Sequence, residues 1–165
     1  MKKFLALLAL LMCSFPLFAQ PGMDEQLAAQ YFQQGEYEKA ILYYEKLYKQ
    51  QPTDYYYEQL FKSHIGLQDL EAAQKLVKDR MRRNDADPRY SIDMGSVLKM
   101  SGDTDKAQKE FEKALKLMRA DQASVRSVAT NFQRVEELDL ALQAYERGQR
   151  MLNDQLSFHF EIASL

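Results

Sequence analysis

Apolar positions along the chain fall into paired helical stripes that repeat on a fixed ruler. The ruler is an alanine: Ala40, Ala73, Ala107 and Ala141 stand 33, 34 and 34 residues apart. Four residues after each comes Tyr44, Val77, Phe111 or Tyr145, and seven after each comes Leu47, Arg80, Ala114 or Gly148. Offsets of four and seven share one face of an α-helix. Twelve residues before each alanine stand Ala28, Phe61, Gly95 and Ala129; the residues just before those are Leu27, Leu60, Met94 and Val128. Nine residues before the ruler come Tyr31, His64, Leu98 and Phe132, completing a second helical face. Short polar breaks separate the two helices: QQGEY, LQDLE, SGDTD and RVEEL. Gly35 and Gly102 suit the left-handed residue that ends a helix, and Asp69 and Asp103 can accept from free N–H groups at the next helix start. Each unit therefore reads as helix, tight turn, helix, loop.

A two-helix unit of this size cannot bury its apolar face alone, so successive units must stack. A small residue on the first helix admits a neighbouring helix, and the bulky residues fill the seam. The period and these residues resemble the tetratricopeptide repeat. The first unit carries Leu27, Ala28, Tyr31, Gly35, Tyr37, Ala40, Tyr44 and Pro52; the third carries Met94, Gly95, Leu98, Gly102, Ala107, Phe111 and Ala114; the fourth carries Val128, Ala129, Phe132, Leu138, Ala141 and Tyr145. Departures are the missing early Trp, Phe61 at the small position of the second unit, and Arg80 at its last apolar one. The resemblance implies an all-α, right-handed α-solenoid of antiparallel helix pairs. Its units run approximately over 21–53, 54–87, 88–121 and 122–155, with the start of a fifth at 156–165.

The front of the chain stands outside this pattern. Lys2 and Lys3 precede an apolar run from Phe4 to Phe18, then Ala19 and Gln20, which has the anatomy of a secretory signal peptide over residues 1–19. The run is shorter than the roughly 20 residues a membrane-spanning helix needs. Cys13 is preceded by Leu11 and Met12 rather than by small residues, so lipid attachment there is disfavoured. Cys13 is also the only cysteine, so a processed chain over 20–165 has no thiol chemistry or disulfide. Export to the periplasm or cell envelope of a bacterium is the expectation, with no stable membrane insertion after cleavage. Net charge is −2, more acidic once Lys2 and Lys3 leave, and mixed in sign, which argues against nucleic acid as a partner.

At the other end, Leu156, Phe158, Phe160, Ile162 and Leu165 make an apolar terminus. Solenoids ordinarily close with a polar cap, so the expectation is a piece of a longer array, or an end covered by self-association.

Chemistry-bearing patterns are sparse. His64 replaces a core Tyr and is expected as a packed, hydrogen-bonded side chain; His159 has no Cys or second His nearby. The acidic pairs Asp85/Asp87 and Asp103/Asp105 lack the further ligands of a calcium loop and read as caps. Glu136 and Glu137 read as solvated turn charges. There is no nucleophile elbow, phosphate loop or metal spacing, so no catalytic residue, cofactor or metal is expected.

The resemblance places a concave groove on the inward positions of each first helix. These are Glu25, Ala29 and Phe32; Tyr55, Glu58, Lys62 and Ile65; Arg89, Ile92, Ser96 and Lys99; and Arg126, Thr130, Gln133 and Arg134. The groove is expected to run from acidic to basic. Of the three consecutive tyrosines, Tyr57 is the Trp-like packing residue and Tyr55 turns inward. The function implied is a non-catalytic scaffold binding a peptide or partner protein. The alternatives are a glycan- or nutrient-binding accessory protein, which would use the Tyr cluster as a platform, and the positioning module of a longer chain.

Overall fold

A computed structural model describes residues 22–153 and 158–165; the leader-like residues 1–19 and Leu156 lie outside them. Four helix pairs follow one another: α1 (Met23–Gln33) with α2 (Tyr37–Gln50), α3 (Asp54–Gly66) with α4 (Leu70–Met81), α5 (Pro88–Met100) with α6 (Thr104–Leu117), and α7 (Gln122–Arg134) with α8 (Leu138–Met151). A short α9 (His159–Ala163) follows. The pairs stack in chain order as an α-solenoid.

Side-chain caps begin most of these helices. Thr53, Asp69, Asp87, Asp103 and Asp121 accept from backbone N–H groups of α3, α4, α5, α6 and α7 in turn, each satisfying a donor the helix leaves unpaired. Pro88 opens α5, where a missing N–H costs nothing. Within each pair the turn pivots on one left-handed residue, and these also obey the ruler: Gly35 (φ 73°), Gln68 (φ 60°), Gly102 (φ 83°) and Glu136 (φ 62°). Two of the four are not glycine, yet the geometry is the same.

The core runs along the seam between helices. Ala28, Ala40, Tyr44, Tyr56 and Leu60 form an N-terminal cluster. A longer cluster runs from Tyr57 through Ile92, Phe111 and Phe132 to Tyr145 and Phe158. Tyr48 and Leu76 touch both, so the core is continuous across the units.

The second unit is regular despite its two departures, and the structure shows why. In the third unit a Cβ on Gly95 would stand 2.3 Å from the Phe111 ring. The small position and the position four after the ruler therefore face each other. In the second unit the sizes are exchanged: Phe61 stands opposite Val77, both buried in the same core. Arg80 is accommodated differently. Its guanidinium lies over the Tyr48 and Tyr57 rings (5.2 and 5.1 Å), and Nη2 donates to the carbonyls of Pro52 and Thr53 (3.1 and 2.7 Å). It thus ties the second unit's outer helix to the loop that enters its inner one.

The C-terminal segment departs from the expected apolar end. Phe158 is fully buried, its ring 5.3 Å from that of Tyr145, and Ile162 and Leu165 pack partly on the core. Among the described residues of this end, only Phe160, 92% exposed, fits the expectation of bare apolar surface.

His64 is packed but not hydrogen-bonded through its ring as expected. Nδ1 is buried without a partner, the nearest carboxylate oxygen, on Asp69, being 3.9 Å away. Burial holds the imidazole below its usual 6.5, against the pull of Asp69 and Glu45. A depressed folded pKa means the neutral form is preferred on folding. The stability His64 contributes is therefore complete above the unfolded pKa and is lost as pH falls through the folded value. We predict a drop in melting temperature between about pH 7.5 and about pH 5 that is smaller in His64→Phe, a side chain the fourth unit carries at this place. Equal drops in both proteins would refute it.

Candidate functional site

The first helices of units two, three and four line the concave side. Between them lies a cleft of about 580 Å³. Its floor is Phe61, Ile65, Met100 and Val135, and its rim is Lys62, Ser96, Lys99, Arg134, Glu136 and Glu137. A smaller, more polar cleft of about 270 Å³ continues towards the other end of the same helices, lined by Asp54, Tyr57, Glu58, Phe61, Arg89, Asp93, Ser127, Asn131 and Arg134. Arg134 and Phe61 belong to both, the guanidinium lying 5.8 Å from the ring, so together they partition the groove.

The partition rests on a buried polar network. Asp93, on α5, is 1% exposed. It accepts 2.7 Å from the Tyr57 hydroxyl on α3 and pairs with Arg134 on α7. Three successive units are thereby joined through one carboxylate. Burial raises the Asp93 pKa, while Arg134 and Tyr57 favour its ionised form. The same burial, with the Asp93 charge, pushes the Tyr57 phenol well above its usual range, so it remains a donor.

The expected groove residues divide. Lys62, Lys99 and Arg134 line the larger cleft, and Glu58, Arg89 and Arg134 the smaller. Glu25, Phe32, Tyr55 and Arg126 line neither. Ile92, assigned inward, is fully buried. Tyr55 is 46% exposed, but Tyr56 and Tyr57 are buried, so the triplet presents one ring to solvent rather than a platform. Phe32 packs edge-on against Tyr37 at 5.6 Å.

The expected gradient from acidic to basic is also corrected, because every assigned cation has an intrachain carboxylate. Lys62 pairs with Glu58 (2.8 Å), Lys99 with Glu137 (2.6 Å) and Arg126 with Glu161 (2.6 Å). Arg89 bridges Asp54 (2.8 Å) and Asp87 (2.7 Å), and these contacts hold the Asp54 carboxyl below its usual range. Glu137 is therefore an ion-pair partner and not a solvated turn charge. What remains unpaired at the larger cleft is its apolar floor.

Sequence reasoning missed Phe61, Met100, Val135 and Asp93 as site residues. Phe61 occupies a position whose usual small residue would line nothing. Met100 and Val135 sit where their helices end, outside the repeating inward positions. Asp93 stands where the other units carry the neutral Gln26, Gln59 and Ser127, and only the arrival of Arg134 explains a carboxylate there. Among the described residues no cluster of three or more His, Cys, Asp or Glu could hold a metal, and no helix is long and apolar enough to cross a membrane.

No curated protein matches this sequence. Tetratricopeptide repeat profiles match residues 25–54 and 88–121, the units whose turns carry Gly35 and Gly102. Several solved structures share the fold. A thermophilic tetratricopeptide-repeat protein of Thermus thermophilus, TTC0263, is 22% identical with a TM-score of 0.53, over 88% of this chain and 82% of its own. PcrH from Pseudomonas aeruginosa is 21% identical with a TM-score of 0.55, over 76% of this chain and 99% of its own. PcrH in complex with the chaperone binding region of PopB gives 22% and 0.52, over 82% and 98%. The helix pairs on a 33- to 34-residue ruler, the matched repeats and the shared fold make this chain a tetratricopeptide-repeat protein.

Proposed function

We propose that the chain is a non-catalytic interaction scaffold of the cell envelope that holds a segment of a partner protein in the cleft between α3, α5 and α7. The observation that carries this reading is the cleft itself: an apolar floor of Phe61, Ile65, Met100 and Val135 inside a rim whose cations are already neutralised. Such a site gains most from burying an apolar side chain and little from a charged one, because a new ionic contact must first displace an existing pair. PcrH, of the same fold, is seen holding a region of another protein, a precedent for the mode and not for the partner. The envelope location rests on the signal-like residues 1–19. The paired cleft cations and the single exposed ring of Tyr55 leave the glycan reading without a platform.

The test is photo-cross-linking in the native cell, with a photoreactive residue at Ile65, at Ser96, or at Glu112 on the outer face of α6. The expected result is one shared adduct from Ile65 and Ser96, absent from Glu112. Adducts from Glu112 alone, or none from the cleft positions, would overturn the reading. Recovery of the shared adduct from a cytoplasmic fraction would overturn the location alone.

A further inference from the structure

An apolar strip leaves the larger cleft along the edge of the solenoid where each inner helix turns into its outer one. Gly66, the last residue of α3, lines that cleft, and a Cβ on it would stand 2.5 Å from the Tyr37 ring. Tyr37 in turn lines a hollow of about 200 Å³ with Gly35, Leu67, Glu36, Glu38 and Lys39. The two depressions therefore adjoin, and the strip runs from Val135 and Met100 over Ile65 to Leu67 and Tyr37. Met100 and Leu67 remain 47% and 38% exposed.

Charge along this edge is one-sided. From the last turn of each inner helix to the ruler alanine (31–40, 64–73, 98–107 and 132–141) there are nine carboxylates and four cations. All four cations are paired: Lys39 with Glu36, Lys99 with Glu137, Lys106 with Asp103 and Arg134 with Asp93. Lys62, the one further cation lining either depression, is held by Glu58. Six of the nine carboxylates form no ion pair with a lysine or arginine among the described residues, and two of the six, Glu38 and Glu136, line the depressions. Helix starts favour carboxylates, which accounts for Glu38 in the first turn of α2. It does not account for Glu136, which precedes the N-cap of α8. Glu136 holds φ 62° where units one and three have glycine, the residue that adopts this conformation without steric cost.

We propose, given that the cleft holds a segment of a partner protein, that this segment is a basic amphipathic helix. Its apolar face lies along the strip, and its lysines or arginines meet the unpaired carboxylates. An anionic side chain finds every cation of the rim already taken; a cationic one finds Glu136 and Glu38 open. Complementary charge of this kind sets which partner is accepted. Adjacent packed helices lie about 8–10 Å apart. Side chains seven residues apart on a helix match that pitch at about 10.5 Å and share a face, as a helix laid across three inner-helix ends requires.

Fluorescence anisotropy with three synthetic helical peptides decides it. Each carries leucine at the same spacing along one face, and lysine, glutamine or glutamate elsewhere. The lysine peptide is expected to bind about fivefold more tightly than the glutamine one, and the glutamate peptide more weakly than either. Glu38→Gln/Glu136→Gln should weaken the lysine peptide about fivefold and change the glutamine peptide less than about twofold. Glu112→Gln/Glu146→Gln, which removes the same charge from exposed outer-helix positions, should change both less than about twofold. Leu67→Ser/Met100→Ser should weaken both about tenfold, through lost apolar contact. Circular dichroism checks that the three doubles are folded. Equal binding of the lysine and glutamine peptides would overturn the basic helix and leave the cleft as a partner site. Equal losses in the two glutamate doubles, or a lysine peptide unaffected by Leu67→Ser/Met100→Ser, would overturn it as well. So would binding of none of the peptides, and the cleft itself then stands or falls on the Ile65 adduct.

Discussion

Arg134→Met is expected to destabilise the fold by about 3–5 kcal/mol at neutral pH, although Arg134 lies at the edge of the cleft. The substitution keeps most of the aliphatic stem of the side chain. What it removes is the counter-charge of Asp93, which is 1% exposed and then retains only the Tyr57 hydroxyl. An uncompensated buried carboxylate must either stay charged in a poor medium or take up a proton. Its folded pKa, already raised by burial, therefore rises further. A group whose folded pKa is raised contributes its stability below the unfolded value and loses it as pH rises through the folded one. The deficit of Arg134→Met should accordingly shrink on acidification, as Asp93 becomes protonated in both states. Asp93→Asn added to Arg134→Met should recover part of the loss, because the amide can still accept from Tyr57 while carrying no charge. Denaturant unfolding of the four proteins in a double-mutant cycle measures the coupling. A loss below about 1 kcal/mol, or one that does not depend on pH, would show that Asp93 is solvated through the smaller cleft.

Gly95→Phe is expected to unfold the array, and Gly95→Phe/Phe111→Val to fold. The single substitution forces a ring into space that the Phe111 ring already fills, since even a Cβ would stand 2.3 Å from it. Overpacking by far less costs about 1–3 kcal/mol. The double variant reproduces in the third unit what the second already does with Phe61 and Val77. Gly95→Ala is the graded control: an alanine is better than glycine in a helix by about 0.5–1 kcal/mol, so any net loss there reports the clash alone. Thermal melts of the three variants decide the matter. A double variant no better than Gly95→Phe would mean that the two positions do not exchange volume, and that the second unit is held some other way.

The repeat class was legible because a stacked helix pair imposes the same contacts on every unit. Spacing alone then places Ala28, Tyr44, Phe111, Phe132 and Tyr145 in the core, and the structure buries all five. The groove was legible only in outline. Lys62, Lys99 and Arg134 line the larger cleft as the repeat pattern implies, but the partners of Lys99 and Arg134 could not be read. Glu137 comes from the turn of the next unit, and Asp93 from a helix 41 residues before Arg134. Phe158, read as part of an apolar end, was not placed for a related reason: what covers an apolar residue near a terminus is not legible until the ring it meets, Tyr145, is known.

By itself the sequence determined the helix pairs, their turns and their order, since these depend on contacts within a unit or with its immediate copy, which periodicity records. Gln68 and Glu136 show that even the left-handed turn follows from register when glycine is absent. Only the tertiary structure decided which charges are spent inside the molecule and which face outward. Lys99–Glu137 and Arg134–Asp93 join side chains from different units, 38 and 41 residues apart, off the 33- to 34-residue ruler. Those pairings neutralise the cations of the concave cleft.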